Sequence, residues 1–253
     1  MYIIVFLVIM ILCLLLVKEY DYFSMKSKLI WEDFRTKNKI PNILNKGKIF
    51  KKVKLQKTET FTIYTKYKDI YIINMDKDKD RLQNVKASVA GQNINIIRHP
   101  AINGKLIDKN HELYKKYLST NFISSYKFNK QSVIGCTLSH LTLYTELNNK
   151  YRNDDSKQYF IIAEDDGIIQ PNFNERLEKL FLELPSNWDF VYLGASKPIG
   201  KYYSKSLIKP DFSKAGNWGF YGYMISKSGL QKFVNNSKNV SNEIDNHFKS
   251  IKG

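Results

Sequence analysis

The sequence predicts an α/β fold with a mostly parallel sheet flanked by helices, and three observations carry that expectation. From about residue 70 onward, short apolar runs alternate with helical patterns, as they do when strands are joined by crossover helices. The runs are too brief for helices and are rich in Ile, Tyr and Phe, the composition of buried strands. One of them, Tyr159-Phe160-Ile161-Ile162-Ala163, ends in Glu164-Asp165-Asp166. In such sheets ligands bind at the C-terminal ends of strands. Three adjacent carboxylates there repel one another and call for a positive partner. A hard divalent cation fits, since one or two carboxylates suffice when substrate phosphates supply the remaining oxygens. The competing reading is a solvated acidic turn.

Taken in order, Met1 to Val17 is apolar and uncharged. As a helix it spans roughly 25 Å, and Lys18, Tyr20, Tyr22 and Phe23 suit a membrane interface. Residues 1–23 are therefore expected to be a single-pass membrane anchor; a basic leader and a small-residue cleavage site are missing. Lys18, Lys26, Lys28 and Arg35 follow the segment and none precedes it, which favours a cytosolic domain. Residues 24–60 are Lys-rich and broken by Pro41 and Gly47, the signature of a stem. A globular domain is expected over 61–253. In it, Ile70–Ile73 reads as a strand, Asp78–Val89 as a helix and Ile94–Ile97 as a strand. Ser132–Leu147 reads as a helix with Cys136, His140, Leu143 and Leu147 on one stripe. Phe173, Leu177, Leu180, Phe181 and Leu184 mark an amphipathic helix stopped by Pro185. Phe190–Leu193 and Tyr223–Ile225 read as strands, and Ser226 as the cap of a helix to about Val234.

Apolar content of 43% and aromatic content of 14% place the chain among folded proteins. Its net charge of +16 invites a nucleic-acid reading, but only five of the 40 basic residues are Arg and the Lys are dispersed. No dedicated nucleic-acid face is expected, although anionic ligands and membranes should be attracted. Cys13 and Cys136 are far apart in the pattern, so no structural disulfide is expected, and no Cys or His pair has zinc spacing.

Four segments then read together: Tyr71-Ile72-Ile73-Asn74-Met75-Asp76 with Asp80-Arg81; Pro100-Ala101-Ile102-Asn103-Gly104; Ile134-Gly135-Cys136-Thr137-Leu138-Ser139-His140; and Ile161-Ile162-Ala163-Glu164-Asp165-Asp166. In this order they resemble glycosyltransferase family 25, whose members read like "hINLDxxxxR", "xAxxG", "GCxxSH" and "LEDD". Trp188 to Gly194 is similar to its "WDxhxLG", Gly219 to Ser226 to its "GxxxYhIS", and Ile244-Asp245 to its late "hD". The resemblance covers about residues 69 to 247. Met75 and Ala163 stand where Leu is commoner, and Phe220-Tyr221-Gly222 replaces the usual small residue and His.

The resemblance implies a GT-A-like nucleotide-diphospho-sugar transferase fold, a UDP-sugar donor and Mn²⁺ or Mg²⁺. It implies transfer of a hexose, galactose or glucose, to a saccharide, lipid-linked glycan or hydroxylysine acceptor, with inversion. By the same resemblance Asp166 and Glu164 are the metal pair, Asp166 directly and Glu164 through water or ribose, while Asp165 ties down the loop. Asn74 and Asp76 are placed to meet uracil or ribose, with a strand-to-helix cap as the alternative. Arg81 suits a phosphate or nucleotide, or else a salt bridge. Gly135 and Ser139 share a helical face that lets a backbone or a sugar approach closely. His140 is either a buried His satisfied by a backbone carbonyl or a phosphate or acceptor contact. Asp245 is the candidate base for deprotonating the acceptor, with Asp189 and Glu243 as rivals, and His247 is a candidate extra metal ligand. A reading from a different class is a catalytically degenerate basic adaptor for anionic membranes or nucleic acid.

Overall fold

The computed structural model describes residues 68–122 and 130–251. The expected anchor (1–23) and stem (24–60) lie outside the described residues. Among those described, no helix is long and apolar enough to cross a membrane.

In chain order the elements are β1 (Asp69–Asn74), α1 (Lys79–Ser88), β2 (Asn95–Pro100), a 3₁₀ turn (Gly104–Leu106), α2 (Glu112–Tyr117), α3 (Lys130–Tyr151) and β3 (Tyr159–Glu164). They continue with α4 (Phe173–Glu183), β4 (Phe190–Ser196), β5 (Gly200–Tyr202), β6 (Ile208–Pro210), β7 (Trp218–Ser226), α5 (Lys227–Asn235) and α6 (Ile244–Ser250). The main sheet has the order β2-β1-β3-β7-β4, and β5 pairs only with β6. β1 is parallel to β2 and β3, whereas β7 is antiparallel to β3 and β4. Four strands thus point one way and β7 runs against them, so the sheet is mixed.

Both faces of the sheet are covered, which is why its strands read as continuous apolar runs. Tyr71, Ile73, Phe160, Ile162, Tyr223 and Ile225 pack with Leu138, Leu141 and Tyr144 of α3 and with Leu230 and Phe233 of α5. On the other face Ile70, Ile72, Tyr159, Ile161 and Met224 meet Val85 of α1, Leu177 of α4 and Trp188. Ser226 caps α5, its hydroxyl accepting from Gly229 N at 3.0 Å. α4 stops at Leu184, whose extended backbone is what the residue before a proline adopts. α3 runs four residues beyond its expected end, and β4 continues through Gly194. The β5–β6 hairpin and α2 carried no sequence signal.

At the N-terminal end of the sheet Lys157 is buried, its Nζ 3.0 Å from Asp69 Oδ2, above the rings of Tyr151 and Phe160. Burial alone would raise the Asp69 carboxyl, but Asn95 and Lys157 override it and hold it below the usual value. Lys157→Ala should cost about 1–2 kcal/mol, since half-buried Asp69 loses its close ion-pair partner but keeps Asn95 and the charge of Lys150; urea unfolding at pH 7 reads it. Because the folded pKa of Asp69 is depressed, the pair's contribution is present above the unfolded pKa of about 3.9 and fades as pH falls through the folded value.

Candidate active site

The parallel ends of β1 and β3 place their last residues side by side, with Ile73 opposite Glu164. Beyond them opens a cleft of about 470 Å³, walled by the turn after β1, the Ala101–Lys105 loop, α3 and the acidic turn after β3. Arg81, Ser139, His140, Glu164, Asp165 and Asp166 all line it, joined by Lys77, Lys105 and Cys136. Of the remaining residues singled out from sequence, Asn74, Gly135, Asp76 and Asp245 do not.

Asn74 is buried at 2% exposure, and both ends of its amide are committed. Its Nδ2 donates to Asp165 Oδ2 at 2.6 Å and to Asp78 O at 2.9 Å, while its Oδ1 accepts from Arg98 Nε at 2.9 Å. With three protein partners the amide ties the β1 end to the acidic turn, in keeping with the strand-end cap that stood as the alternative to a uracil or ribose contact. Asp76 pairs with Arg98 and faces outward. Arg98 also donates to the Asn74 carbonyl at 3.0 Å. It is a site-organising residue that the sequence did not flag, because a lone Arg in a strand has no periodicity to mark it.

Asp165 accepts from Asn74 and, at 3.4 Å, from Arg81, so it fixes the turn. Glu164 is held from the α3 side. His140 Nε2 lies 3.2 Å and Cys136 Sγ 3.5 Å from its Oε1. Burial alone would raise the Glu164 carboxyl, but the His140 and Cys136 contacts override it and keep it below the usual range, hence ionised. Asp166 differs. It is exposed, and burial together with Glu164 and Asp165 raises its pKa. Arg81 offsets only part of that push, and among the described residues no side chain donates to this carboxylate. With ionised Glu164 beside it, the donor set is all oxygen and suits a hard divalent cation.

His140 is fully buried. Its Nδ1 meets the Tyr223 hydroxyl at 2.8 Å, and that hydroxyl bonds in turn to Tyr144. Its protein partners are therefore a phenol and a carboxylate rather than a backbone carbonyl. Phe220, in the departing Phe220-Tyr221-Gly222 segment, packs 5.4 Å from the same ring.

Gly135 and Ser139 serve a backbone approach. A Cβ on Gly135 would lie 2.6 Å from Ile102 O, and one on Gly104 would lie 1.8 Å from Gln131 O. Ser139 Oγ accepts from Ile102 N at 2.8 Å and donates to Gly135 O at 2.7 Å. The two glycines thus press the Ala101–Lys105 loop onto α3 to form one wall of the cleft.

Asp245 is the second residue of α6 and is half-buried. It is near enough to Cys136 and Tyr192 to add to the upward push of burial on both. Asp189 lies at the opposite end of the sheet, bonded to Lys232 and Ser228, too far from the carboxylates to serve them. Glu243 accepts from Asn246 at 3.1 Å within its own turn. His247 is buried against Phe233 at 5.7 Å and takes no part in the acidic cluster.

Comparison with known proteins adds identity to this geometry. Residues 67–248 match the family described as "Glycosyltransferase family 25 (LPS biosynthesis protein)". The chain is similar to Procollagen galactosyltransferase 2 of Homo sapiens, 25% identical over 183 residues, 66% of this chain and 27% of that protein. It is similar to Procollagen lysyl hydroxylase and glycosyltransferase of Acanthamoeba polyphaga mimivirus, 25% identical over 176 residues, 65% of this chain and 19% of the relative. It is also similar to Procollagen galactosyltransferase 1-B of Xenopus laevis, 22% identical over 186 residues, 67% of this chain and 28% of the relative. The matched stretch spans about a quarter or less of the length of these relatives.

Proposed function

The chain belongs to glycosyltransferase family 25, and from that premise we propose that it moves a hexose, galactose or glucose, from a UDP-sugar to a glycan or hydroxylysine-type acceptor, with inversion, on a GT-A-like fold. The observation that carries this reading is the exposed Asp166 carboxylate in the cleft lining, to which no described side chain donates, with Glu164 held ionised beside it. Asp166 and Glu164 are the residues to hold Mn²⁺ or Mg²⁺. Such a cation, when bound, neutralises charge on the departing diphosphate.

The protein's own part is positional. Asn74 and Arg98 fix the β1 end, and Asp165 holds the turn, so the two reactive carboxylates need no reorganisation when substrate arrives. Arg81, Lys77 and Lys105 line the cleft and supply positive charge to a diphosphate. The Gly104–Gly135 contact sets the width of the wall. Asp245 is the residue proposed to take the acceptor proton, by its place at the start of α6 beside the Cys136 side of the cleft.

Calorimetry of UDP with the full chain in detergent tests the donor site. Micromolar binding that requires Mn²⁺ is expected. Binding of equal strength with a chelator present, or none in either condition, overturns the metal-dependent reading.

A further inference from the structure

Cys136 opens onto the cleft yet has no place in the transfer chemistry above, and it stands beside a histidine. Among the described residues, Cys136 Sγ, a His140 ring nitrogen and a Glu164 carboxylate oxygen all lie within 4.8 Å of one another. We propose that these three side chains form a Zn²⁺ site with its fourth position open to the cleft, and that Zn²⁺ bound there withdraws Glu164 from the harder Mn²⁺ or Mg²⁺ site and inhibits transfer.

The distances fit. Tetrahedral zinc with bonds of about 2.0 Å to N and O and about 2.3 Å to S separates its ligand atoms by roughly 3.3 Å for N and O and 3.5 Å for S and O. His140 Nε2 to Glu164 Oε1 is 3.2 Å, and Cys136 Sγ to the same oxygen is 3.5 Å. Two of the three edges are already at zinc length without an ion. The ligands also sit on rigid elements: Cys136 and His140 are one turn apart on α3, a pair the sequence reading did not count as zinc spacing, and Glu164 ends β3.

The surroundings supply what such a site needs next. A metal-bound imidazole is oriented through its other nitrogen, and His140 Nδ1 has the Tyr223 hydroxyl at 2.8 Å. That hydroxyl can accept or donate, since Tyr144 stands behind it. The ring can therefore move its proton from Nε2 to Nδ1 when a cation takes Nε2. The thiol is protonated without metal, because burial and then Glu164, Asp245 and Asp166 raise its pKa. Zinc binding releases that proton to solvent. A thiolate and an imidazole favour Zn²⁺ over Mn²⁺ or Mg²⁺, which prefer the all-oxygen set at Asp166. Zinc held through Oε1, the oxygen that Cys136 and His140 both approach, draws the carboxylate toward α3 and weakens the second site.

Zinc binding stands independently of the transferase reading; the inhibition rests on it, and the two are separated experimentally. Co²⁺, added to the full chain, is the spectroscopic probe. One equivalent should give intense tetrahedral visible bands and a thiolate-to-cobalt charge-transfer band in the near ultraviolet, both erased by Zn²⁺. Cys136→Ser should lose the charge-transfer band and Cys13→Ser should keep it. Tyr223→Phe should keep the band but weaken Zn²⁺ affinity about tenfold, read by competition with a chromophoric chelator. A wild-type spectrum lacking the band, or a band that survives Cys136→Ser, overturns the site. With Mn²⁺ and UDP-sugar present, Zn²⁺ should suppress wild-type transfer at least tenfold and spare Cys136→Ser relative to that variant's own zinc-free rate. Zinc bound in the wild type without loss of rate overturns the inhibition. A wild-type chain with no Mn²⁺-dependent transfer contradicts the transferase reading instead and leaves the cobalt result to stand alone.

Discussion

Asp166→Asn is expected to lower transfer at least about a thousandfold while making the metal-free protein slightly more stable. The first effect follows from losing the uncommitted ligand: a thousandfold is about 4 kcal/mol of barrier, the scale of metal charge stabilisation at a leaving group. The second follows from the raised pKa of Asp166. A carboxyl whose folded pKa exceeds its unfolded one is penalised when ionised. Between those two values the folded state holds more protons, so stability falls as pH rises. At neutral pH the penalty is fully present, and it disappears as pH drops below both. Asp166 is exposed, so the gain is a few tenths of a kcal/mol, about 1 °C in Tm. Differential scanning fluorimetry with a chelator reads it, and the gain should shrink toward acid pH. Added Mn²⁺ should raise the Tm of the wild type and not of the variant. A variant that retains transfer within tenfold of wild type removes Asp166 from the metal site.

Gly135→Ala should destabilise the protein by roughly 3 kcal/mol, a fall of about 6–12 °C in Tm. Its new Cβ meets Ile102 O at 2.6 Å and Gly104 N at 2.8 Å. These are backbone atoms that no rotamer change moves aside. The loop must retreat from α3, and the Ile102 N–Ser139 hydrogen bond goes with it. Gly222→Ala is the control. Its Cβ would lie 3.8 Å from Ala163 Cβ, ordinary contact, and Tm should stay within about 1 °C. A Gly135→Ala protein that melts within 2 °C of wild type means that the close approach is dispensable.

These two positions also mark how far sequence reaches. The acidic turn was legible because β3 is buried on both faces and its apolar run stops abruptly at three charges. Gly104 and Gly135 were each visible in a motif, but their mutual contact is tertiary and leaves no periodic trace. Asn74 was legible only as a pair of alternatives. A polar residue at a strand end reads as a ligand contact or as a cap, and here the buried amide bonds Asp165 and Arg98. Arg98 itself was overlooked because nothing in a single strand says which side chain will turn toward the site. The hydroxyls of Tyr144 and Tyr223, separated by 79 residues, could be joined only in the folded chain.

The reversed direction of β7 has an evolutionary consequence. β4 leaves the sheet, and β7 enters it, at the end where the carboxylates sit. The excursion from 197 to 217 starts at that end but folds back along β4 to the end of α4, where Glu183 accepts from Ser204 and Ser206, and none of its residues lines the cleft. Insertions or exchanges there can vary the flank of the domain without shifting a register in the sheet or reaching the carboxylates. The catalytic frame and its outer flank become separately variable parts of one chain.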